Sequence, residues 1–315
     1  MPIPIHDDST DANFADGIAA GTSSVREFPP LEHFRVQNIP PAAYYIPDFI
    51  TKEEEEYLLR KVVDESPQPK WKKVGTGRRL QYWGGTMSKN GILLPEPLPD
   101  FLTSFPDIIY RIESFLKTGS VKGKEKMELG IVQVLVNEYL PGQGISPHED
   151  GPAFQPLVAT LSLGSHTVLD LHHYLNPTKP SPPMISHSED QGGKTIAAIP
   201  LAHLLLMPRS LLVLRSSLYT SHLHSIAAKE EDLIVHRPIT LSGNASLNGD
   251  EGDVNGGGVE IANMDLLGDA EIVDSLKNTG RWKGRRDTRV SLTFRKAEKV
   301  LKGGALGAMA NALKR

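Results

Sequence analysis

Residues 137–150 read NEYLPGQGISPHED, which predicts a strand that ends at a Pro-Gly turn and leads into a His-x-Asp pair. Side chains alternate along an extended segment, so His148 and Asp150 lie on the same side of it. An imidazole and a carboxylate placed in this way are able to bind one metal ion together. Two ligands do not complete a metal site, so the rest of the chain has to supply a third.

Residues 211–226, LLVLRSSLYTSHLHSI, are the strongest source of that third ligand. An apolar strand leads into a turn and then presents His222 and His224, and the pattern alone does not choose between them. Two histidines and one carboxylate leave three positions open on an octahedral metal, which is the arrangement of non-haem Fe(II) oxygenases. A lone histidine is more often structural, so the metal site depends on all three ligands.

The late segment RVSLTFR, residues 289–295, predicts a strand with an arginine at each end. Arg289 and Arg295 are six residues apart, so they share one face of the strand, opposite to its apolar residues. Two inward-facing arginines are costly to bury unless they meet carboxylates. A dicarboxylate co-substrate would satisfy both of them. The alternative is an edge strand whose arginines are in solvent.

The chain has 315 residues, of which 39% are apolar, and a formal net charge of −4. This length corresponds to one large domain or two small ones, and the apolar fraction predicts some disorder. The net charge argues against a global basic field that would mark a nucleic-acid binder. The chain has no cysteine, so a metal has to be held by His, Asp or Glu. No signal peptide or membrane span is predicted, so we expect an intracellular soluble protein.

The predicted elements are helices first and strands afterwards. Thr51 and Glu54 form a capping box at the start of one helix, and residues 106–117 predict a second amphipathic helix. From residue 130 the chain carries short β-branched or Leu-rich strands separated by Gly, Pro or Ser turns, a spacing typical of a sandwich or barrel. We therefore predict an α+β fold with the helices packed on one face of an antiparallel double sheet.

The predicted domain covers residues 36–300. Residues 1–35 are polar and rich in Asp, Ser and Pro, and are predicted to be a disordered N-terminal segment. Residues 301–315 are predicted to form a C-terminal tail.

Two loop insertions interrupt the predicted sheet, at residues 176–200 and 228–284. The first is rich in Pro and Ser. The centre of the second, 242–260, is predicted to be disordered because its composition does not support a core. Residues 264–277 predict one short helix. Loops of such length inside a domain are usually functional or disordered, so the second insertion is also a candidate lid.

Residues 78–85, RRLQYWGG, combine two arginines, an amide and two aromatic rings with a glycine pair. This combination is suited to binding a flat anionic group by stacking and charge. The alternative is a hairpin edge with packed aromatic rings and solvated arginines.

Four motifs together resemble the AlkB family of Fe(II)- and 2-oxoglutarate-dependent dioxygenases, and within it the AlkB homologue 6 group. They span roughly residues 40–300 and occur in the family's order. The long second motif, with the TLSLGSHTVLDL that follows it, is the most specific. The motifs are RRLQYWGG, VNEYLPGQGISPHEDGP, PRSLLVLR with LHSI, and RVSLTFR. The resemblance implies a double-stranded β-helix, or jelly-roll, core.

The resemblance also implies a role for each matching residue. His224 is preferred to His222 because His224-Ser225-Ile226 fits the family's His-Gly-Ile turn. Ser291 stands where the family often has an asparagine, which places one co-substrate contact in question. The implied iron ligands are His148, Asp150 and His224. The implied 2-oxoglutarate contacts are Asn137, Tyr139, Arg289, Ser291 and Arg295, with Arg289 at the distal carboxylate and Arg295 at the other carboxylate or beside the metal. The implied substrate contacts are Arg79, Gln81 and Trp83.

An enzyme of this family uses Fe(II), 2-oxoglutarate and O2 to hydroxylate a C–H bond, and produces succinate and CO2. The usual target is an N-methyl group on a nucleic-acid base, which is released as formaldehyde. We expect RNA or single-stranded DNA as the partner, because a pocket that receives a flipped base takes these most easily. We also expect a monomer in the cytoplasm and nucleus.

Three alternatives remain at this point. The first is a dioxygenase that acts on a protein or a small molecule. The second is a non-catalytic module that binds RNA or a protein, although such a module need not keep three metal ligands. The third is a cupin-like metal isomerase, which the two arginines of the late strand disfavour because they favour a dicarboxylate.

Overall fold

A computed structural model of the chain describes residues 26–75, 77–119, 127–175, 195–236 and 258–301. The strands in these ranges are β1 Ala43–Ile46, β2 Lys72–Val74, β3 Arg78–Trp83, β4 Gly85–Met87, β5 Leu93–Pro95, β6 Gln133–Tyr139, β7 Ile145–His148, β8 Phe154–Leu163, β9 Thr167–His173, β10 Ala202–Leu206, β11 Leu211–Arg215, β12 His222–Ile226, β13 Glu231–Val235, β14 Arg281–Arg285 and β15 Arg289–Ala297. The α-helices are α1 Lys52–Leu59, α2 Asp100–Thr103, α3 Ile108–Thr118, α4 Ser217–Thr220 and α5 Ala270–Thr279. None of the described helices is long and apolar enough to cross a membrane.

Two antiparallel sheets form the centre of the molecule. The major sheet has the strand order β1-β11-β8-β15-β6-β3-β2, and the minor sheet has the order β10-β9-β12-β7. Many neighbours in these sheets are far apart in sequence, as in a jelly-roll, where strands pass back and forth between two sheets. The predicted α+β fold with an antiparallel double sheet is therefore confirmed.

Helices α1, α2 and α3 pack on the outer face of the major sheet. The capping box predicted at Thr51 and Glu54 is confirmed, and a π-helical turn, Arg60–Asp64, extends α1. Arg111 on α3 donates two hydrogen bonds to the Glu54 carboxylate, at 2.6 and 2.8 Å, and so ties α3 to α1. The core under the helices includes Leu58, Ile112, Phe115, Val136 and Phe294.

A second core lies between the two sheets. Its buried residues include Leu171, Leu204, Leu212 and Ile226. The two environments alternate along β15, because side chains of a strand point to opposite faces. Leu292 and Phe294 face the helices, while Arg289, Ser291 and Arg295 line a cavity on the inner face. The prediction that the two arginines share one face is confirmed by this alternation.

The N-terminal boundary of the domain lies earlier than predicted. Leu31–Phe34 form a 3-10 turn, and the Leu31 side chain is fully buried. Phe28 and Phe34 pack edge-on against Phe115 of α3. The predicted disorder of residues 1–35 is therefore wrong for residues 26–35, which apolar contacts hold on the core; residues 1–25 lie outside the described residues.

The second predicted insertion contains more regular structure than expected. Strands β13 and β14 pair with each other over five residues each, and α5 lies between them in sequence. The predicted short helix is present, but it starts at Ala270 and ends at Thr279. The prediction of disorder is wrong for residues 258–260, because Val259 makes two backbone hydrogen bonds to β13, both at 3.0 Å. Residues 237–257, and residues 176–194 of the first insertion, lie outside the described ranges.

A buried ion pair fastens this segment to the core. Arg286 donates two hydrogen bonds to the Asp232 carboxylate, at 2.7 and 2.8 Å, and both residues are buried. Burial raises the pKa of Asp232, but the nearby His166 and the hydrogen bonds from Arg286 outweigh burial and lower it to about 2. A folded-state pKa below the ordinary value of 3.8 means that ionised Asp232 stabilises the fold above about pH 4. This stabilisation is lost as the pH falls towards 2.

We expect Arg286→Met to lower the free energy of unfolding by roughly 3–5 kcal/mol at pH 7, because it removes the guanidinium that donates two hydrogen bonds to the buried Asp232 carboxylate. The difference from the wild type should shrink as the pH falls from about 4 to about 2, where Asp232 is protonated. Urea unfolding followed by circular dichroism measures both. Arg285→Met is the matched control, since Arg285 is exposed and its loss should change stability by less than about 0.5 kcal/mol. Equal effects of both variants would contradict the prediction.

Candidate active site

The three predicted metal ligands meet between two neighbouring strands of the minor sheet. His148 ends β7, Asp150 follows it by two residues, and His224 lies in the middle of β12 opposite His148. The ligand atoms of all three lie within 4.8 Å of one another, and the two imidazole rings are 4.3 Å apart. His222 is not a member of this group, and its Nδ1 is 2.7 Å from the Ser217 carbonyl oxygen.

The local contacts leave the two imidazoles ready to bind a metal. The Nδ1 of His148 lies 2.9 Å from the Ser146 carbonyl oxygen, so Nδ1 carries the proton and Nε2 is available. Burial lowers the pKa of His224 to about 4, so its ring is neutral at pH 7. One carboxylate and two imidazoles suit Fe(II) and leave three coordination positions for other ligands.

A hydrogen bond from α4 fixes the turn that carries Asp150. The Tyr219 hydroxyl donates a hydrogen bond of 3.2 Å to the carbonyl oxygen of Gly151, the residue after Asp150. Burial raises the pKa of Tyr219, so the hydroxyl keeps its proton for this bond. A contact of this type orients a ligand without touching the metal.

The three predicted metal ligands, called the metal group below, line one side of a cavity of about 280 Å³ between the two sheets. Its polar and charged lining comes mainly from alternate residues of β3, β6, β8 and β15. These lining residues are Arg78, Tyr82, Asn137, Tyr139, His148, Glu149, Asp150, Thr160, His224, Arg289, Ser291, Thr293 and Arg295. The structure thus brings together all the residues predicted to bind iron or 2-oxoglutarate.

Arg289 is a buried cation without an acidic partner among the described residues. Only 3% of the residue is exposed; its Nη2 donates a 2.8 Å hydrogen bond to the Ser162 hydroxyl, and its Nε has no partner. Its guanidinium lies 5.6 Å from the centre of the Tyr139 ring. Burial lowers the pKa of Arg289 to about 10. A buried guanidinium in this state fits the distal carboxylate of 2-oxoglutarate.

Arg295 reaches the cavity from the other end of β15. Its guanidinium stacks on the Phe154 ring at 3.9 Å, and its Nε donates a 3.1 Å hydrogen bond to the Gln133 side chain. Burial lowers the pKa of Arg295, while the negative charge of Asp150 raises it. Arg295 therefore lines the cavity within electrostatic reach of Asp150.

The substrate residues predicted on β3 lie on the wrong face of the strand. Gln81 is fully buried towards α1, where its Nε2 donates to the Val62 carbonyl oxygen at 2.9 Å. The Trp83 indole donates to Gln81 and packs edge-on against a helix phenylalanine. Arg79 pairs with both oxygens of Glu138. All three side chains lie on the face of β3 that is turned away from the cavity, because alternate residues of a strand point to opposite faces.

The residues of β3 that do line the cavity are Arg78, Leu80 and Tyr82. They are offset by one position from the predicted set. The alternation of side chains along β3 could be read from the sequence, but the sequence did not show which of its two faces points into the cavity. Ser162 was also missed, and it is the described hydrogen-bond partner of Arg289. The sequence could have indicated Ser162, because in TLSLG this residue alternates with apolar residues of a buried strand.

We expect the two faces of β3 to respond differently to substitution. Gln81→Leu should lower the free energy of unfolding by about 1–3 kcal/mol, because it leaves the Val62 carbonyl and the Trp83 indole without partners. It should leave the KM for 2-oxoglutarate unchanged. Tyr82→Ala should instead reduce turnover of the primary substrate and change stability little. Denaturant unfolding and succinate production measure the two effects, and a turnover loss in Gln81→Leu at normal stability would contradict this assignment.

Comparison with known proteins gives the family. No protein-family profile matches the chain. The chain is 34% identical over 273 residues to the zebrafish (Danio rerio) protein named "Probable RNA/DNA demethylase ALKBH6", a match that covers 86% of this chain and 92% of the relative. It is 31% identical over 147 residues to "tRNA (carboxymethyluridine(34)-5-O)-methyltransferase ALKBH8" of Macaca fascicularis, covering 45% of this chain but 21% of that protein. The solved structure of OsALKBH1 aligns with a TM-score of 0.45 at 14% identity, over 82% of this chain and 99% of that one.

A double sheet that holds two histidines and a carboxylate beside unpaired arginines is the architecture of Fe(II)- and 2-oxoglutarate-dependent dioxygenases, and the protein is an enzyme of this class. With a relative 34% identical over 92% of that relative's length, the chain belongs to the AlkB family of these dioxygenases.

Proposed function

We propose that the enzyme removes alkyl groups from N-alkylated bases of RNA or single-stranded DNA. The observation that carries this proposal is the extended match to the relative named a probable RNA/DNA demethylase, since the match covers 86% of this chain and 92% of the relative. A second relative is named as a tRNA-modifying enzyme, which supports an RNA substrate.

The side chains have separate tasks in this reaction. His148, Asp150 and His224 hold the iron, and Arg289 holds the distal carboxylate of 2-oxoglutarate. Fe(II), 2-oxoglutarate and O2 supply the oxidation: 2-oxoglutarate becomes succinate and CO2, and one oxygen atom enters a substrate C–H bond. An N-methyl group becomes N-hydroxymethyl, which breaks its C–N bond and leaves as formaldehyde, with the proton returning to the base nitrogen. The two sheets exclude water from the cavity while this occurs.

The edge of the major sheet next to the cavity suits a nucleic-acid strand. Tyr82 lines the cavity, and its aromatic ring is a surface on which a base can stack. The Lys72 ammonium lies 5.7 Å from the centre of that ring. Lys72 is exposed on the edge strand β2, opposite the cavity-lining Leu80, where it is available to phosphates. Because the net charge of the whole chain is −4, this basic surface is local and favours a short single-stranded contact over duplex binding.

The test is succinate and formaldehyde release by the purified protein with Fe(II), O2 and 2-oxoglutarate. We expect N-methylated single-stranded oligonucleotides to stimulate both products in equal amounts, and unmethylated ones to give no formaldehyde. Methylated and unmethylated peptides form the comparison series. Stimulation by peptides and by no oligonucleotide would overturn the proposal in favour of a protein hydroxylase. Binding of oligonucleotides without either product would favour a non-catalytic module.

A matched pair of lysine variants tests the edge of the sheet. We expect Lys72→Gln to raise the KM for the methylated oligonucleotide and to make its salt dependence shallower, because one phosphate contact is lost. The KM for 2-oxoglutarate should not change. Lys277→Gln is the control, since Lys277 is equally exposed but lies on α5. Identical salt dependence in Lys72→Gln and the wild type would remove the edge strand from the substrate site.

A further inference from the structure

A second guanidinium lies beside Tyr139 in the cavity. Arg78 is 5.4 Å from the centre of the Tyr139 ring, and Arg289 is 5.6 Å from the same ring. The two arginines reach Tyr139 from neighbouring strands, β3 and β15, which both pair with β6. Both guanidinium groups therefore border the same part of the cavity, beside the Tyr139 ring.

Arg78 is not neutralised by any carboxylate among the described residues. Its Nη1 donates to the side-chain oxygen of Asn137, and the remaining donors of its guanidinium have no acidic partner. The adjacent Arg79 is the contrast, since it points to the other face and pairs with both oxygens of Glu138. Of two consecutive arginines, only the one that lines the cavity keeps an uncompensated charge.

The residue at position 291 is a second observation that bears on the role of Arg78. Ser291 lies directly opposite Asn137 in the pairing of β15 with β6, and both line the cavity. The resemblance to the AlkB family implies an asparagine at this position, whose amide would donate a hydrogen bond into the cavity. The serine side chain is shorter and offers a hydroxyl in place of an amide, and Arg78 is bonded to Asn137, the residue that pairs with Ser291.

We propose that Arg78 binds the distal carboxylate of 2-oxoglutarate together with Arg289, and replaces the amide donor that Ser291 lacks. The fork of a guanidinium is able to keep its bond to Asn137 and still donate to a carboxylate. Such a charge-assisted hydrogen bond is stronger than the amide contact it replaces. The inference rests on the co-substrate of the dioxygenase class and not on a nucleic-acid substrate.

The test is direct binding of 2-oxoglutarate to the full chain loaded with Mn(II), measured by isothermal titration calorimetry. We expect Arg78→Gln to raise the Kd for 2-oxoglutarate about 10- to 100-fold, which corresponds to the loss of one charge-assisted hydrogen bond. Arg78→Lys, which keeps the charge but loses the fork, should raise it less. Mn(II) affinity without 2-oxoglutarate should stay unchanged, because Arg78 is not one of the metal-binding group.

Two further arms separate a carboxylate contact from other roles. The double variant Arg78→Gln/Ser291→Asn should recover part of the lost affinity, since it restores an amide opposite Asn137. Lys277→Gln, which removes an exposed charge from α5, should leave the Kd unchanged. An unchanged Kd in Arg78→Gln would overturn the proposal. A raised KM for a methylated oligonucleotide with an unchanged Kd for 2-oxoglutarate would overturn it as well, and would assign Arg78 to the substrate phosphate.

Discussion

His224→Ala is expected to abolish both metal binding and 2-oxoglutarate turnover. The three ligand atoms lie within 4.8 Å of one another, so removal of one imidazole leaves a two-ligand group. Metal ions in such sites contribute several kcal/mol to the reaction, which corresponds to a loss of about 10³-fold or more in succinate production. Calorimetric titration with Mn(II) and an assay of Fe(II)-dependent succinate release measure the two effects. The same loss should follow when a chelator removes the metal from the wild type.

His222→Ala is the matched control, because it removes the same side chain two residues earlier on the same strand. His222 contacts the Ser217 carbonyl oxygen and lies outside the metal group. We therefore expect His222→Ala to keep metal affinity and turnover within about threefold of the wild type, as expected of a side chain that contacts no reacting group. Loss of turnover in His222→Ala together with retained turnover in His224→Ala would reverse the ligand assignment.

Alternation identifies the inward face of β15 from the sequence, but it does not identify the inward face of β3, where the resemblance implied Arg79, Gln81 and Trp83. On β15 the alternate residues Val290, Leu292 and Phe294 are all apolar, so the sequence itself marks the face that packs under the helices. On β3 both faces carry polar or aromatic residues, and Gln81 is fully buried on the helix side. The inward face of β3 is set by pairing with β6, which no local pattern shows.

The second insertion contains regular structure that the sequence did not predict, because the paired strands are far apart along the chain. Strands β13 and β14 are separated by 45 residues, from Val235 to Arg281, and each is short and rich in charged residues. A Gly-rich stretch between them predicts disorder, while the elements that organise the segment are the ladder of β13 with β14 and the Asp232–Arg286 pair. The metal ligands were easier to predict, because His148 and Asp150 are neighbours within one specific motif.

Arg289→Met is expected to weaken 2-oxoglutarate binding about 100-fold or more, because it removes the buried cation that would pair with the distal carboxylate. Arg289 is 3% exposed and has no acidic partner among the described residues, so a carboxylate that enters the cavity would meet an unpaired charge. Isothermal titration calorimetry of the Mn(II)-loaded protein gives the Kd. Arg289→Lys should show a smaller loss, since a single ammonium group does not reproduce the two parallel hydrogen bonds of a guanidinium.

The same substitution should make the protein more stable without 2-oxoglutarate. Burial lowers the pKa of Arg289 to about 10, which shows that the fold holds this charge at a cost when no carboxylate is present. Replacing it with an apolar side chain of similar length should raise the free energy of unfolding by about 1 kcal/mol or more, measured by denaturant unfolding without 2-oxoglutarate. Adding saturating 2-oxoglutarate should stabilise the wild type and leave Arg289→Met unchanged. A variant that is less stable than the wild type and still binds 2-oxoglutarate would show that Arg289 serves the fold and not the co-substrate.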